Sequence, residues 1–205
     1  MLTNHNDIKA WLDGMNIENY TINNSGTVTV DGNVDISNKQ LAEIPIQFRI
    51  VYGDFNCSHN GLTTLNGSPR EVGGDFNCRN NRLKTLEGSP CEVGGDFNCS
   101  LNGLKSLEGS PQEVSGDFNC SHNNLTSLDG SPLEVGGNFN CWYNGLESLN
   151  GSPQKVGGSF ECNDNDLTSL NGSPREVGGS FYCWGNRFKS CPNSDTIING
   201  QLIWD

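Results

Sequence analysis

Residues 53–65 read GDFNCSHNGLTTL, and this stretch returns almost unchanged every 21 residues along the chain. The copies are marked by phenylalanines at Phe55, Phe76, Phe97, Phe118, Phe139, Phe160 and Phe181. A fixed period of this size is typical of repeat proteins, in which each unit buries its apolar face against its neighbours. We therefore predict a solenoid of stacked coils, each 21 residues long.

The repeat extends beyond its most similar copies. Val34 takes the place of the phenylalanine in a degenerate first unit, residues 34–53, and Leu202 takes it near the C-terminus. With the seven phenylalanines these positions predict nine strand segments. At about 4.8 Å per strand, the stack would be roughly 40 Å long.

Each position of the unit has a physical interpretation. Phe and Cys alternate with polar residues in DFNCS, which is the period of a half-buried strand. The asparagine of Asn60 and its equivalents never changes, and we expect it to bond the backbone of neighbouring coils. The Gly61 position that follows indicates a tight turn with positive φ. Gly-Ser-Pro at residues 67–69 excludes a helix, so the outer arc should be extended or polyproline-like and return through Val72.

The N-terminal segment reads as a cap on this stack. Residues 1–17 have helical periodicity, with Asn6 or Asp7 as the expected N-cap. Two short strands around a Gly-containing turn follow, at residues 20–22 and 27–30. We predict three parts: an N-terminal cap at 1–33, repeats at 34–191, and a C-terminal cap with a final strand at 192–205.

The motif Phe-x-Cys-x-x-Asn-x-Leu-x-x-Leu resembles the leucine-rich repeats over about residues 34–204. The resemblance implies a right-handed superhelix, with a parallel sheet on a concave face that binds a protein and little helix on the convex side. Val72 stands one place earlier than the usual leading leucine of these repeats. We therefore expect the outer arc to differ from that of the bacterial 20-residue class of leucine-rich repeats. The units are also similar to leucine-rich repeat proteins encoded by tailed bacteriophages, which implies the cytoplasm of a host cell and a host defence protein as target.

Composition narrows the possible partners. The net charge is −12, which argues against binding nucleic acid or an anionic membrane through bulk attraction. It favours a protein partner with a basic patch, or mimicry of a nucleic acid. No apolar run is long enough to span a membrane, and no signal peptide is evident, so we predict a cytoplasmic protein with reduced thiols.

Two sets of residues beside the strand Phe and Cys are the candidate partner-binding residues. One is a column of four aspartates before the phenylalanines, called the Asp column: Asp54, Asp75, Asp96 and Asp117. It could bind Lys and Arg of a partner or bind a cation weakly, or it could only keep a flat sheet soluble. The other is an aromatic group in slots that are small or polar elsewhere: Trp142, Tyr143, Tyr182 and Trp184. Exposed Trp and Tyr are typical of interface hot spots, although these residues could instead pack as a C-terminal cap.

Catalysis finds little support in the chain. His59 and His122 share one slot three coils apart, roughly 14 Å, which is too far for the two to cooperate in catalysis. We include both among the partner-binding residues.

Seven cysteines should fill the core as small apolar side chains, because parallel in-register thiols do not converge on a metal. Cys91 should be exposed, Cys191 stands in a core leucine slot, and Trp204 should close the core end.

We therefore predict a non-enzymatic protein-binding module without cofactor or metal. The alternatives are an acidic nucleic-acid mimic that blocks a nucleic-acid-binding protein, and a structural or virion-associated protein.

Overall fold

The computed structural model describes residues 1–204, in which the repeats form a solenoid with two parallel sheets. The single helix is α1 (His5–Gly14). In chain order the strands are β1 (Tyr20–Ile22), β2 (Val28–Val30), β3 (Val34–Asp35), β4 (Phe48–Val51), β5 (Phe55–Asn56), β6 (Glu71–Val72), β7 (Phe76–Asn77), β8 (Glu92–Val93), β9 (Phe97–Asn98), β10 (Glu113–Val114), β11 (Phe118–Asn119), β12 (Glu134–Val135), β13 (Phe139–Asn140), β14 (Lys155–Val156), β15 (Phe160–Glu161), β16 (Glu176–Val177), β17 (Phe181–Tyr182), β18 (Ile197–Ile198) and β19 (Leu202–Ile203).

Each sheet collects one strand from every coil. The Phe-strand sheet has nine strands, β3 and the odd-numbered strands up to β19, as the sequence predicted. The Val-strand sheet has ten, β1, β2 and the even-numbered strands up to β18. The outer arc is extended, as the sequence predicts, and the structure adds that its short strands, five of them Glu-Val pairs, hydrogen-bond from coil to coil as a second sheet. Strands pair in register, so Phe55 faces Phe76 and Val72 faces Val93.

The core between the sheets repeats the same side chains in every coil. The Phe, Cys and Leu side chains of the unit are buried, and Val closes the core on the other side. Phenylalanine rings from Phe55 to Phe160 stack on one another with centroid distances of 5.2 to 5.7 Å. Close stacking of identical side chains explains why these positions hardly vary along the chain.

The repeated asparagine bonds the backbone of two coils, as predicted. The Nδ2 of Asn81 donates to the carbonyls of Cys78, at 3.0 Å, and of Cys57 in the preceding coil, at 3.1 Å. Its Oδ1 accepts from the N–H of Leu62, at 3.0 Å. These bonds satisfy backbone groups at the point where the chain leaves the strand and the sheet can no longer pair them.

The prediction of a positive φ after this asparagine is wrong, because the left-handed residue is the one before it. His59, Leu101 and Tyr143 have φ of 54°, 54° and 55°. The N–H of Gly61 instead donates to the carbonyl of Leu41, at 2.8 Å, so its backbone follows the coil-to-coil ladder. That geometry suits any residue, which explains why Arg82 is accepted at the same position. A second positive φ is at Gly67, with φ of 98°, and at its equivalents in the Gly-Ser-Pro turns.

The N-terminal cap has the helix and hairpin that the sequence predicted. The N-cap is Asn4, whose side chain accepts from the N–H of Asn6 at 2.8 Å, so the expectation of Asn6 or Asp7 was wrong by two or three residues. Ile8 and Leu12 are buried, and the edge of Trp11 contacts the ring of Phe48. Strand β2 pairs antiparallel with β1 and parallel with β4, which joins the hairpin to the Val-strand sheet.

The C-terminal end differs from the sequence expectation at one residue. Strands β18 and β19 extend the two sheets, and Trp204, in the Cys slot, packs partly buried against the core. Cys191 is exposed although it stands in a core leucine slot. In the described part of the chain, no helix has the length and apolarity to cross a bilayer.

Candidate functional site on the Phe-strand sheet

The outward side chains of the Phe-strand sheet form the candidate site. Phe and Cys point into the core, so the residues that flank them are turned to the opposite side of the strand. These slots change toward the C-terminal coils, from Asn56 to Glu161 and Tyr182 and from Ser58 to Trp142 and Trp184.

The Asp column lies in register along this face and forms a hydrogen-bonded chain with the backbone. The Oδ1 of Asp54 accepts from the N–H of Asp75 at 2.9 Å, and the same bond joins Asp75 to Asp96 at 2.8 Å and Asp96 to Asp117 at 2.7 Å. Asn138 and Ser159 continue it by accepting from the next coil. One oxygen of each aspartate therefore has a structural role. The second oxygen also accepts a bond in two of them, from the Nδ2 of Asn33 in Asp54 and from the Nδ2 of Asn138 in Asp117, each at 3.3 Å.

The glycine before each aspartate is required by this arrangement. A Cβ on Gly74 would overlap the Oδ1 of Asp54, and a Cβ on Gly95 would overlap the Oδ1 of Asp75. The carboxylate therefore reaches the N–H of the next coil through the space that a side chain would fill. This explains the Gly-Asp pair in the repeat as a packing requirement.

Three of the four predicted aromatic residues meet at one depression, called here the aromatic pocket. Its lining consists of Trp142, Glu161, Asn163, Tyr182 and Trp184, and its volume is about 330 Å³. Trp142 and Tyr182 are half-buried, while Trp184 retains 41% of its exposure. The sequence placed these residues on one face, and the structure adds that they surround a common space.

The fourth aromatic residue, Tyr143, lies outside this lining and is 59% exposed. Its ring centroid is 4.7 Å from that of His122, which also contacts Trp142 at 4.4 Å. His59 lies in a different environment, where its Nδ1 is 2.8 Å from the amide nitrogen of Asn80. The two histidines therefore belong to separate local clusters, one on each side of the Asp column's midpoint.

Glu161 and Asn163 are the two residues of the pocket that sequence reasoning missed, and Glu161 is the one that carries charge. Burial raises the pKa of its carboxyl group, and the negative charge of Asp117 raises it further. Its Oε2 accepts from the Nδ2 of Asn140, in the preceding coil, at 2.9 Å. Glu161 replaces the asparagine that fills this slot in the five preceding coils, and that substitution was the available signal.

A second depression of about 160 Å³ shares Glu161 with the aromatic pocket. Its lining includes Asp96 and Asp117 of the Asp column, together with Asn138 and Asn140. The acidic and aromatic halves of the candidate site are thus continuous, with Glu161 at their junction.

The cysteines are all free, and seven of them form the predicted buried column. Burial raises the pKa of Cys57 to about 12, so these thiols are neutral near pH 7. Cys91 is exposed, as predicted. Within residues 1–204, no group of three or more His, Cys, Asp or Glu side chains is arranged to hold a metal ion.

The chain matches no protein-family model, no curated protein and no solved structure. The β-solenoid with a 21-residue period is what the structure establishes, and the resemblance to leucine-rich repeats stays a prediction from the repeat motif.

Proposed function

We propose that this chain is a non-enzymatic module that binds a partner protein on the outward face of the Phe-strand sheet. Solenoid repeat folds are typical of protein-interaction scaffolds, because their stacked coils present long rigid surfaces. The observation that carries the proposal is the aromatic pocket beside the Asp column. Large aromatic side chains held on a rigid sheet lose little entropy on binding and are the usual anchors of an interface.

The opposite sheet also exposes apolar side chains and therefore supplies a matched control. Tyr52 and Leu133 lie next to the Val-strand sheet and are 61% and 52% exposed. They belong to different coils and are not gathered around a common pocket with the aromatic group.

Capture from a bacterial lysate tests the proposal, with three forms of the immobilised protein. Wild type should retain a specific protein, and Trp142→Ala/Trp184→Ala should lose it by at least about tenfold, because hot-spot truncations cost 2 kcal/mol or more. Tyr52→Ala/Leu133→Ala should retain it at the wild-type level. Equal retention by the aromatic variant, or loss only in the control, would place the interface elsewhere.

The resemblance to phage repeat proteins extends the proposal to a more specific role. In this role the protein acts in the cytoplasm of an infected cell and blocks a defence component through a basic patch on that component. The net charge of −12 supports a basic partner through electrostatic steering. Expression of the wild-type protein should raise phage plating on a defence-proficient strain, and the aromatic variant should not.

The acidic face supports a second candidate, a mimic of nucleic acid that occupies a nucleic-acid-binding groove. The Asp column and Glu161 run along the same sheet, which provides a line of negative charge. Binding of this kind should weaken steeply between low and physiological ionic strength, whereas binding anchored by the aromatic pocket should change little. Retention of the captured protein across a salt series distinguishes the two, and the absence of any specific capture would favour a structural role.

A further inference from the structure

The spacing of the two tryptophans defines what the aromatic pocket can hold. Trp142 and Trp184 occupy the same slot two coils apart, which separates their strands by about 9.6 Å at the usual strand spacing. The residue between them is Asn163, a smaller side chain that is buried at the floor. A flat group between two rings needs about 7–8 Å, twice the usual contact distance between carbon atoms. The gap therefore suits a planar group that enters between the rings.

The floor of the pocket carries a negative charge without a cationic partner. Glu161 accepts a hydrogen bond from the neutral amide of Asn140, and no lysine or arginine pairs with it in the described part of the chain. A half-buried carboxylate of this kind is costly to desolvate unless an opposite charge approaches it. The raised pKa of Glu161 records that cost.

The charged residues around the aromatic pocket also favour a positively charged ligand. Asp117 lies close enough to Glu161 to raise its pKa, and Asp96 lines the adjoining depression. The one lysine or arginine in the outward slots beside Phe and Cys is Arg79, four coils away from Asn163 or about 19 Å. The pocket thus lacks an internal cation and lies in a negative field.

We propose that the aromatic pocket binds the guanidinium group of an arginine side chain of the partner, between Trp142 and Trp184 and against Glu161. A guanidinium is planar, stacks on aromatic rings and pairs with a carboxylate in a fixed geometry, whereas an ammonium group is compact and strongly hydrated. A volume of about 330 Å³ is at the lower end of small-molecule sites, which suits one side chain. The inference rests on the proposed protein-binding function and specifies the chemistry of its anchor.

The test is a titration with acetyl-arginine amide, followed through the indole N–H signals of the protein in NMR spectra. The four tryptophans give four signals, of which those of Trp142 and Trp184 should shift in a saturable manner. The signal of Trp11, in the N-terminal helix, should not move and serves as the internal control. Trp204 shares a separate depression with Trp184, so its signal is not used as a control. Acetyl-citrulline amide, which has nearly the same shape without the charge, should cause no saturable shift.

The variants distinguish the pocket from general attraction to an acidic surface. Glu161→Gln should weaken the binding of acetyl-arginine amide by about tenfold, since a hydrogen bond to a charged group is lost. Glu134→Gln, which removes one exposed acid from the Val-strand sheet, should leave it unchanged. Unfolding of Glu161→Gln should be no easier than that of wild type, because the substitution removes a half-buried charge.

Three outcomes would overturn the inference. They are uniform shifts of all four indole signals, equal weakening by the two Gln variants, and equal binding of acetyl-lysine amide. In each case the capture experiment with the Trp142→Ala/Trp184→Ala variant still decides the proposed function by itself, so the two failures are distinguishable.

Discussion

At the scale of single residues, polar side chains complete the backbone hydrogen bonding of the solenoid. The repeated asparagine bonds carbonyls of two coils, and the aspartate before Phe accepts from the next coil. A coil of 21 residues has only two short strands, so much of its backbone lies outside the sheets. The side chains at these positions are therefore determined by local backbone geometry.

The contribution of the repeated asparagine to stability can be measured best at Asn123. It is buried, donates to the carbonyls of Cys99 and Cys120, and accepts from the N–H of Leu104. Asn123→Ala should lower the free energy of unfolding by about 3 kcal/mol or more, because several buried backbone groups lose their partners. Urea unfolding monitored by circular dichroism measures the change. Asn124→Ala, at the exposed neighbouring position, should stay within about 0.5 kcal/mol of wild type.

The Asp column gives a second prediction at this scale. Asp96→Asn should leave stability unchanged or slightly higher, since Asn138 already fills the same role and a stacked like charge is removed. Asp96→Ala should lower the free energy of unfolding by about 1 kcal/mol, because the N–H of Asp117 loses its acceptor. Comparison of thermal midpoints at low salt tests both. A loss in the Asn variant equal to that in Ala would show that the carboxylate charge itself matters.

At the scale of elements, the Val-strand sheet depends on glycines that allow close contact between coils. The N–H of Gly94 donates to the carbonyl of Val72 at 2.9 Å, and the equivalent glycines make the same bond. Ser115 stands in this slot and, within the described residues, its N–H has no such partner. The pairing of β10 with β8 is correspondingly shorter than that of β10 with β12, and it consists of the single pair Val114 and Val93.

Replacement of Ser115 by glycine should therefore strengthen the Val-strand sheet. The regained ladder bond is worth about 1 kcal/mol and exceeds the entropy cost of a glycine, so Ser115→Gly should raise stability by about 0.5 kcal/mol. The reverse change, Gly157→Ser, should destabilise by more, because its Cβ would overlap the carbonyl of Gly136. Urea midpoints of the two variants should move in opposite directions. Movement in the same direction would contradict the role given to this slot.

At the scale of the whole molecule, stacking divides the nine cysteines into two classes. Seven lie in the buried column, where desolvation raises the pKa of their thiols. Cys91 and Cys191 are exposed and form the accessible class.

Labelling of the native protein at pH 8 should modify two thiols rapidly and the remaining seven only after unfolding in urea. The reason is that a column thiol is both neutral and inaccessible until the coils separate. Mass spectrometry of the labelled protein counts the modified sites. Cys91→Ser/Cys191→Ser should show no rapid labelling, and more than two rapid sites in wild type would contradict a packed core.

The repeat period alone predicted the nine-stranded Phe-strand sheet, the buried Cys column and the bonding role of Asn60 and its equivalents. These features recur in every coil, so each copy adds to the same signal. The sequence also placed Trp142, Tyr182 and Trp184 on one face, because side-chain alternation in a strand needs no tertiary information. Alternation does not place Tyr143, which directly follows Trp142 and has a positive φ.

The features that only the tertiary structure decided are contacts between neighbouring coils. The second sheet, the left-handed residue at His59, the bonded Asp column and the exposure of Cys191 all depend on which atom of a neighbouring coil is within reach. Glu161 belongs with them, since its carboxylate becomes part of a site only when Trp142 and Trp184 enclose it from coils on either side. The sequence by itself determined the coil and the side of the strand on which each residue lies, through its period. Stacking decided which residues meet, because contacts in a solenoid form 21 residues apart and cannot be read from one copy.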